Sequence, residues 1–135
     1  METIRTIYSG NLRTEAVHVK SGQKIITDAP VDNQGKGEAF SPTDLLSASL
    51  GSCMLTVMGI AANTHSIDLV GMTLKTTKIM ASNPRKVSEV IVEFTINGKN
   101  YSEKEKTILE KAALTCPVAL SLHPDVKQTV HFSFG

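Results

Sequence analysis

The stretch from Phe40 to Ala62, FSPTDLLSASLGSCMLTVMGIAA, limits what this chain can fold into more than any other. It opens on helix-start signals. Ser41 fits the N-cap, Pro42 suits the first helical position, and Asp44 falls at the N3 position of a capping box. The pattern predicts a helix running to about Asn63. Its apolar residues do not keep to one stripe: Leu45, Leu46, Leu50, Leu55, Val57, Met58 and Ile60 cover most of the circumference. A helix apolar all round needs cover on every side. The run Leu45–Ala62 is long enough to span a bilayer. It also contains Ser47, Ser49, Gly51, Ser52 and Thr56 and lacks a basic flank, so a buried helix of a globular fold is expected instead. In a chain of 135 residues, one side of that helix is expected to pack on a second subunit. The small residues Ala48, Gly51 and Ser52 would let another backbone come close.

The rest of the chain supplies the sheets. Residues 1–135 are expected to form one domain. Ile4–Tyr8 reads as a short strand. Ala16–Lys20 and Gln23–Thr27 read as a hairpin about a two-residue Ser21-Gly22 turn. Asp28–Ala39, rich in Gly, Asp and Pro, reads as a mobile loop. After the long helix, Leu69–Met80 and Lys86–Asn97 flank a turn at 82–85. In the second of them Val90, Val92, Phe94 and Ile96 alternate with Ile91, Glu93, Thr95 and Asn97, the period of a half-buried strand. Ser102 and Glu105 fit a second capping box, and Ile108, Leu109, Ala112, Ala113 and Cys116 form a stripe at helical spacing. Pro117 interrupts it, so one helix is expected to end near Thr115 and a short one to begin at Pro117. Gln128–Phe134 closes the chain as a strand. Strands and helices do not alternate strictly, which favours α+β with a mainly antiparallel sheet.

Several function classes are excluded. The net charge is +1, with no basic run and 4% aromatic residues, so neither the electrostatic footprint nor the stacking platform for nucleic acid is present. Met1–Gly10 is polar and lacks the apolar segment of a signal peptide, so the cytoplasm is expected, and no membrane partner. His18, His65, His123 and His131 show no metal-ligand spacing, and Gly35-Lys36-Gly37 fits no phosphate loop. No cofactor and no metal are expected.

The chemistry then rests on Cys53 and Cys116, which are too far apart in sequence for a CxxC motif. Each is either a small buried hydrophobe or a reactive sulfur, and their spacing alone leaves both open. Cys116 stands at the N-cap of the segment begun by Pro117, where orphan N–H groups and the helix dipole favour a thiolate. Cys53 lies about 18 Å from its N-cap at the helical rise, so a thiolate there requires a side-chain cation. The arginines are Arg5, Arg13 and Arg85. Arg5 and Arg85 read as solvated. Arg13, in SGNLRTEAV, enters the hairpin and by itself reads as a surface residue. Glu38 reads as solvated and Asp44 as a cap.

SPTDLLSASLGSCMLTVMGIAA together with CPVALSLHP resembles the OsmC/Ohr family of thiol peroxidases, in particular its OsmC-like branch. The resemblance covers nearly the whole chain. It implies an intertwined homodimer of mainly antiparallel sheets wrapped around central long helices. It implies reduction of organic hydroperoxides, and of hydrogen peroxide, in oxidative stress defence. Cys53 matches the peroxidatic cysteine, Cys116 the resolving cysteine, and Arg13 the arginine that supports the thiolate. An external dithiol, of lipoyl type in the family, would reduce the resulting disulfide. One position departs from the pattern: Thr43 stands where Ohr and OsmC proper carry the glutamate that holds the arginine. Glu38 and Asp44 are therefore the candidate arginine partners. The same departure, with Met54 and Met58, supports an alternative: a non-enzymatic dimer that binds a small apolar ligand or senses oxidants.

Overall fold

A computed structural model describes residues 1–135. The elements run β1 (Ile4–Gly10), β2 (Arg13–His18), β3 (Lys24–Asp28), α1 (Pro42–Thr64), β4 (Thr73–Ala81), β5 (Lys86–Thr95), α2 (Glu103–Leu114), α3 (Pro117–Ser121) and β6 (Lys127–Ser133). The architecture is α+β. The chain divides into two compact units, Met1–Leu46 and Ser47–Gly135.

The first unit is an antiparallel sheet in the order β1-β2-β3. Asn11 and Leu12 form the tight turn between β1 and β2, with φ of 54° and 61°. Left-handed backbone at a leucine costs roughly 1–2 kcal/mol. Here it is held by two hydrogen bonds: the Leu12 N–H donates to the Tyr8 hydroxyl, and the Leu12 carbonyl accepts from Ala29. The β2–β3 hairpin differs from expectation. Its loop is Val19–Gly22, closed by bonds between His18 and Gln23 and between Gly22 and His18, so a four-residue loop replaces the two-residue turn. The register therefore slips, and Arg13 pairs with Asp28.

Asp28–Ala39 is also more structured than its composition predicts. A single 3₁₀ turn at Val31–Asn33 is followed by a left-handed Gln34, and the segment folds back on Ala29. The Gly37 N–H reaches the Ala29 carbonyl at 3.2 Å. A Cβ on Gly35 would lie 1.7 Å from that same oxygen, so only glycine fits. Phe40 bridges back to Thr27 and closes the loop.

The second unit carries a sheet in the order β4-β5-β6. The β4–β5 pair is antiparallel, but β6 runs parallel to β5. Parallel neighbours need a crossover, and the α2–α3 segment supplies it by returning the chain to the same end of the sheet. That one pairing is the exception to the antiparallel expectation. β4 begins at Thr73, later than Leu69, because the chain turns at Leu69–Met72 around Gly71. The inward row of β5, Val90, Val92 and Phe94, and Ile96 just past its end are buried as the alternation requires.

On α1 one stripe is buried: Ser47, Leu50, Gly51, Met54, Met58 and Ala62. Gly51 is where the helix meets β4. A Cβ there would stand 2.9 Å from Leu74 Cδ1 and 3.3 Å from Thr76 Oγ1. The stripe joins β5, Leu109, Ala113 and Cys116 in the core. The helix is long and apolar enough to cross a membrane by length and composition, as a core helix also can be. Its other face is not covered within the chain, and Ile60 is 62% exposed.

Four of the chain's six Phe and Tyr residues gather at one end of the sheet. Phe94 stacks on Phe132 with ring centroids 5.0 Å apart, and Phe132 on Phe134 at 5.9 Å. Tyr101 meets Phe134 edge-on at 5.7 Å. Phe94 is fully buried, so Phe94→Ala is expected to cost about 3–5 kcal/mol. Thermal unfolding followed by circular dichroism should show Tm roughly 10 °C lower or more.

Candidate active site

Both cysteines are free and both belong to the second unit. Cys53 lies on α1 one residue before buried Met54, off the centre of the buried stripe, and is half-buried. Cys116 stands where Pro117 breaks the helical stripe, with φ/ψ of −69°/149°. Extended backbone at that residue is what a following proline imposes. Its Sγ caps α3 by accepting the Ala119 N–H at 3.3 Å, and the residue is 0% exposed. Gln128 on β6 ties the short helix down by donating to the Ala119 carbonyl at 3.0 Å.

At Cys116 the helix-start signal for a thiolate is opposed by burial. Burial pushes its thiol pKa up and outweighs the Ala119 hydrogen bond; interaction with the Cys53 thiol raises it further. A five-residue helix offers too little dipole to reverse that balance. Burial thus favours the protonated form of Cys116, and its sulfur interacts with that of Cys53. Two residues far apart in sequence meet because α1 and the α2–α3 break share one core. No cluster of three His, Cys, Asp or Glu side chains gathers to hold a metal.

Arg13 belongs to the first unit, at the start of β2. Asp28 lies directly opposite it on β3. The guanidinium grips the carboxylate through two bonds, Nε to Oδ1 at 2.7 Å and Nη2 to Oδ2 at 2.8 Å. Oδ2 also accepts the Glu38 N–H at 3.1 Å. The Asp28 side chain is 2% exposed, and that of Arg13 36%. Of the two expected partners, Glu38 stands at the margin, with Oε1 3.8 Å from Nη2 of Arg13. Asp44 completes the capping box: its Oδ2 accepts from the Ser41 N–H and its own N–H donates to Ser41 Oγ, each at 3.0 Å.

The carboxylate that grips Arg13 is thus one that the sequence reading passed over. A two-residue Ser21-Gly22 turn would set Pro30 opposite Arg13, whereas the four-residue loop sets Asp28 there. An acidic residue at the end of a strand, ahead of a proline-containing loop, was the available signal.

The pair leaves a mark on stability. Hydrogen bonding to Arg13 holds the Asp28 carboxyl below its usual value, against the opposing effect of burial. A depressed folded pKa contributes stability that is fully present above the ordinary Asp value of about 3.9. That contribution is lost as the pH falls through the lower folded value. Thermal unfolding between pH 7 and 2 should show Tm falling in the acid range and a shallower fall for Asp28→Asn. Asp68, held low by Lys99, keeps part of the slope in that variant.

Residues 35–131 match the family of OsmC-like proteins. The chain belongs to the OsmC family. A crystal structure from Psychrobacter arcticus, of an osmotic stress induced and detoxification response protein, is 55% identical, with a TM-score of 0.93 over 98% of this chain and 96% of that one. The organic hydroperoxide resistance protein OsmC of Legionella pneumophila is 20% identical, with a TM-score of 0.76 over 98% of both chains, and shares the fold. So does an OsmC-like protein of Mycoplasma pneumoniae, 20% identical, with a TM-score of 0.77 over 97% of this chain and 94% of that one. A search of curated proteins returns no match. Membership in the OsmC family accounts for the α+β architecture and for the helix that carries Cys53.

Proposed function

We propose that this OsmC-family chain is a thiol-dependent peroxidase that reduces organic hydroperoxides, and also hydrogen peroxide, in oxidative stress defence. The observation that carries the reading is the meeting of two free cysteines of unequal exposure in one core. The half-buried partner can meet a peroxide and the fully enclosed one cannot. That supports Cys53 as the peroxidatic residue and Cys116 as the resolving one. Arg13 is the proposed cation for the Cys53 thiolate, since a charge opposite in sign favours the ionised sulfur.

The chemistry balances without a cofactor. The Cys53 thiolate attacks one peroxide oxygen, the O–O bond breaks, and the other oxygen leaves as an alcohol or water after taking a proton. Cys53 becomes a sulfenic acid. The Cys116 sulfur then attacks the Cys53 sulfur, and the sulfenic hydroxyl leaves as water with the Cys116 proton. An external dithiol, of which a lipoyl-type dithiol is the proposed example, reduces the disulfide by two exchange steps. A homodimer is proposed in the cytoplasm, supported by the uncovered face of α1, where Ile60 is exposed, and by exposed Val70 in the turn that follows the helix.

Stopped-flow mixing of reduced protein with cumene hydroperoxide tests the reading. Oxidation faster than that of free cysteine by orders of magnitude is expected; a rate equal to free cysteine would end it. The ligand-binding alternative gains no support from Met54 and Met58, which are fully buried core residues rather than the lining of a site.

A further inference from the structure

We infer that Asp28 is the positioning residue of Arg13, fixing which edge of the guanidinium is presented for work. The inference rests on the proposed role of Arg13 toward Cys53. Three observations within the first unit carry it. The pair sits in backbone register across β2 and β3, so both ends are anchored before the side chains meet. The contact is bidentate and uses Nε and Nη2. A planar fork gripped by two parallel bonds has one orientation, which a single bond would not enforce. The grip leaves Nη1 as the uncommitted edge.

The carboxylate is itself held from the other side. Asp28 Oδ2 takes the Glu38 N–H, and the Asp28 backbone N–H donates to Phe40 at 3.1 Å. Asp28 thereby joins the hairpin that carries Arg13 to the loop that ends at the start of α1. A carboxylate 2% exposed would be strongly disfavoured without these partners. The charged groups facing it are Arg13 and Lys36, and Glu38 faces Arg13. A buried aspartate that merely closed the loop would need the Glu38 N–H alone; the second oxygen and the fork geometry go unused in that account.

The test reads the reactivity of Cys53 on the full chain without needing peroxide. The alkylation rate of Cys53 by iodoacetamide is measured by peptide mass spectrometry across pH for wild type, Arg13→Ala, Asp28→Asn and the double variant. Circular dichroism establishes that each is folded. Arg13→Ala should move the midpoint upward by about one pH unit. Asp28→Asn should move it upward at least half as far, and the double variant no further than Arg13→Ala, because the two residues act as one unit. An unchanged midpoint in Asp28→Asn, a downward shift, or shifts that add in the double variant would each overturn the inference. If the Asn variant does not fold, Asp28→Glu displaces the carboxylate by one methylene and should give the same upward shift. A wild-type chain that cumene hydroperoxide fails to oxidise overturns the peroxidase reading instead, and leaves this comparison intact.

Discussion

On the proposed mechanism Cys53→Ser is expected to fold like the wild type and to lose peroxide reduction, with turnover lowered on the order of a thousandfold or more, as when a nucleophile is removed. The residue is half-buried and off the centre of the stripe that packs α1, so serine leaves the core in place. A hydroxyl at that point does not ionise near neutral pH and cannot take oxygen from a peroxide. The check is the turnover of cumene hydroperoxide with dithiol in excess, with Tm measured in parallel. Unchanged Tm with activity at the uncatalysed rate is the expected pair of results. Activity retained in Cys53→Ser would remove the cysteine from the reaction.

Cys116→Ala separates the second step from the first. Alanine is chosen because the site is 0% exposed, and a serine hydroxyl there would need a new partner. The first oxidation of Cys53 should keep its rate within a few-fold, since the proposed first step does not use Cys116. Steady turnover should fall by at least about tenfold, because the sulfenic acid has lost its resolving thiol. With excess peroxide, Cys53 should climb to the sulfinic acid. Mass spectrometry of the Cys53 peptide reads this directly as two added oxygens. Turnover equal to wild type, with no sulfinic acid, would show that resolution does not use Cys116.

The elements were legible in the sequence where local chemistry alone decides them. Ser41, Pro42 and Asp44 start α1, Ser102 and Glu105 start α2, and Pro117 forces the break that makes Cys116 an N-cap. The alternation of β5 marked its buried face in the same way. What stayed hidden depends on pairing. Whether Ser21-Gly22 sits at the centre of a hairpin or at one end of a longer loop is decided across β2 and β3, not within the turn. That decision places Asp28 rather than Pro30 opposite Arg13. The parallel β5–β6 pairing likewise follows from where the α2–α3 crossover returns the chain. The raised pKa of Cys116 comes chiefly from core burial, which outweighs the local signal of a helix start. Glycine content suggested a mobile 28–39 loop, yet Gly35 is there because the chain closes tightly on Ala29, and Gly37 because its φ is +63° and a Cβ would meet Val31.

Cys53 and Cys116 are proposed to form one redox pair. Reduced protein mixed with less than one equivalent of cumene hydroperoxide, digested without reductant and examined by mass spectrometry, tests it most directly. The account predicts an intramolecular cross-link joining the Cys53 and Cys116 peptides, lighter by two hydrogens than the reduced pair and abolished by added dithiol. Peroxide consumed with both cysteines still reduced, or Cys53 oxidised with Cys116 never joined to it, would contradict the account.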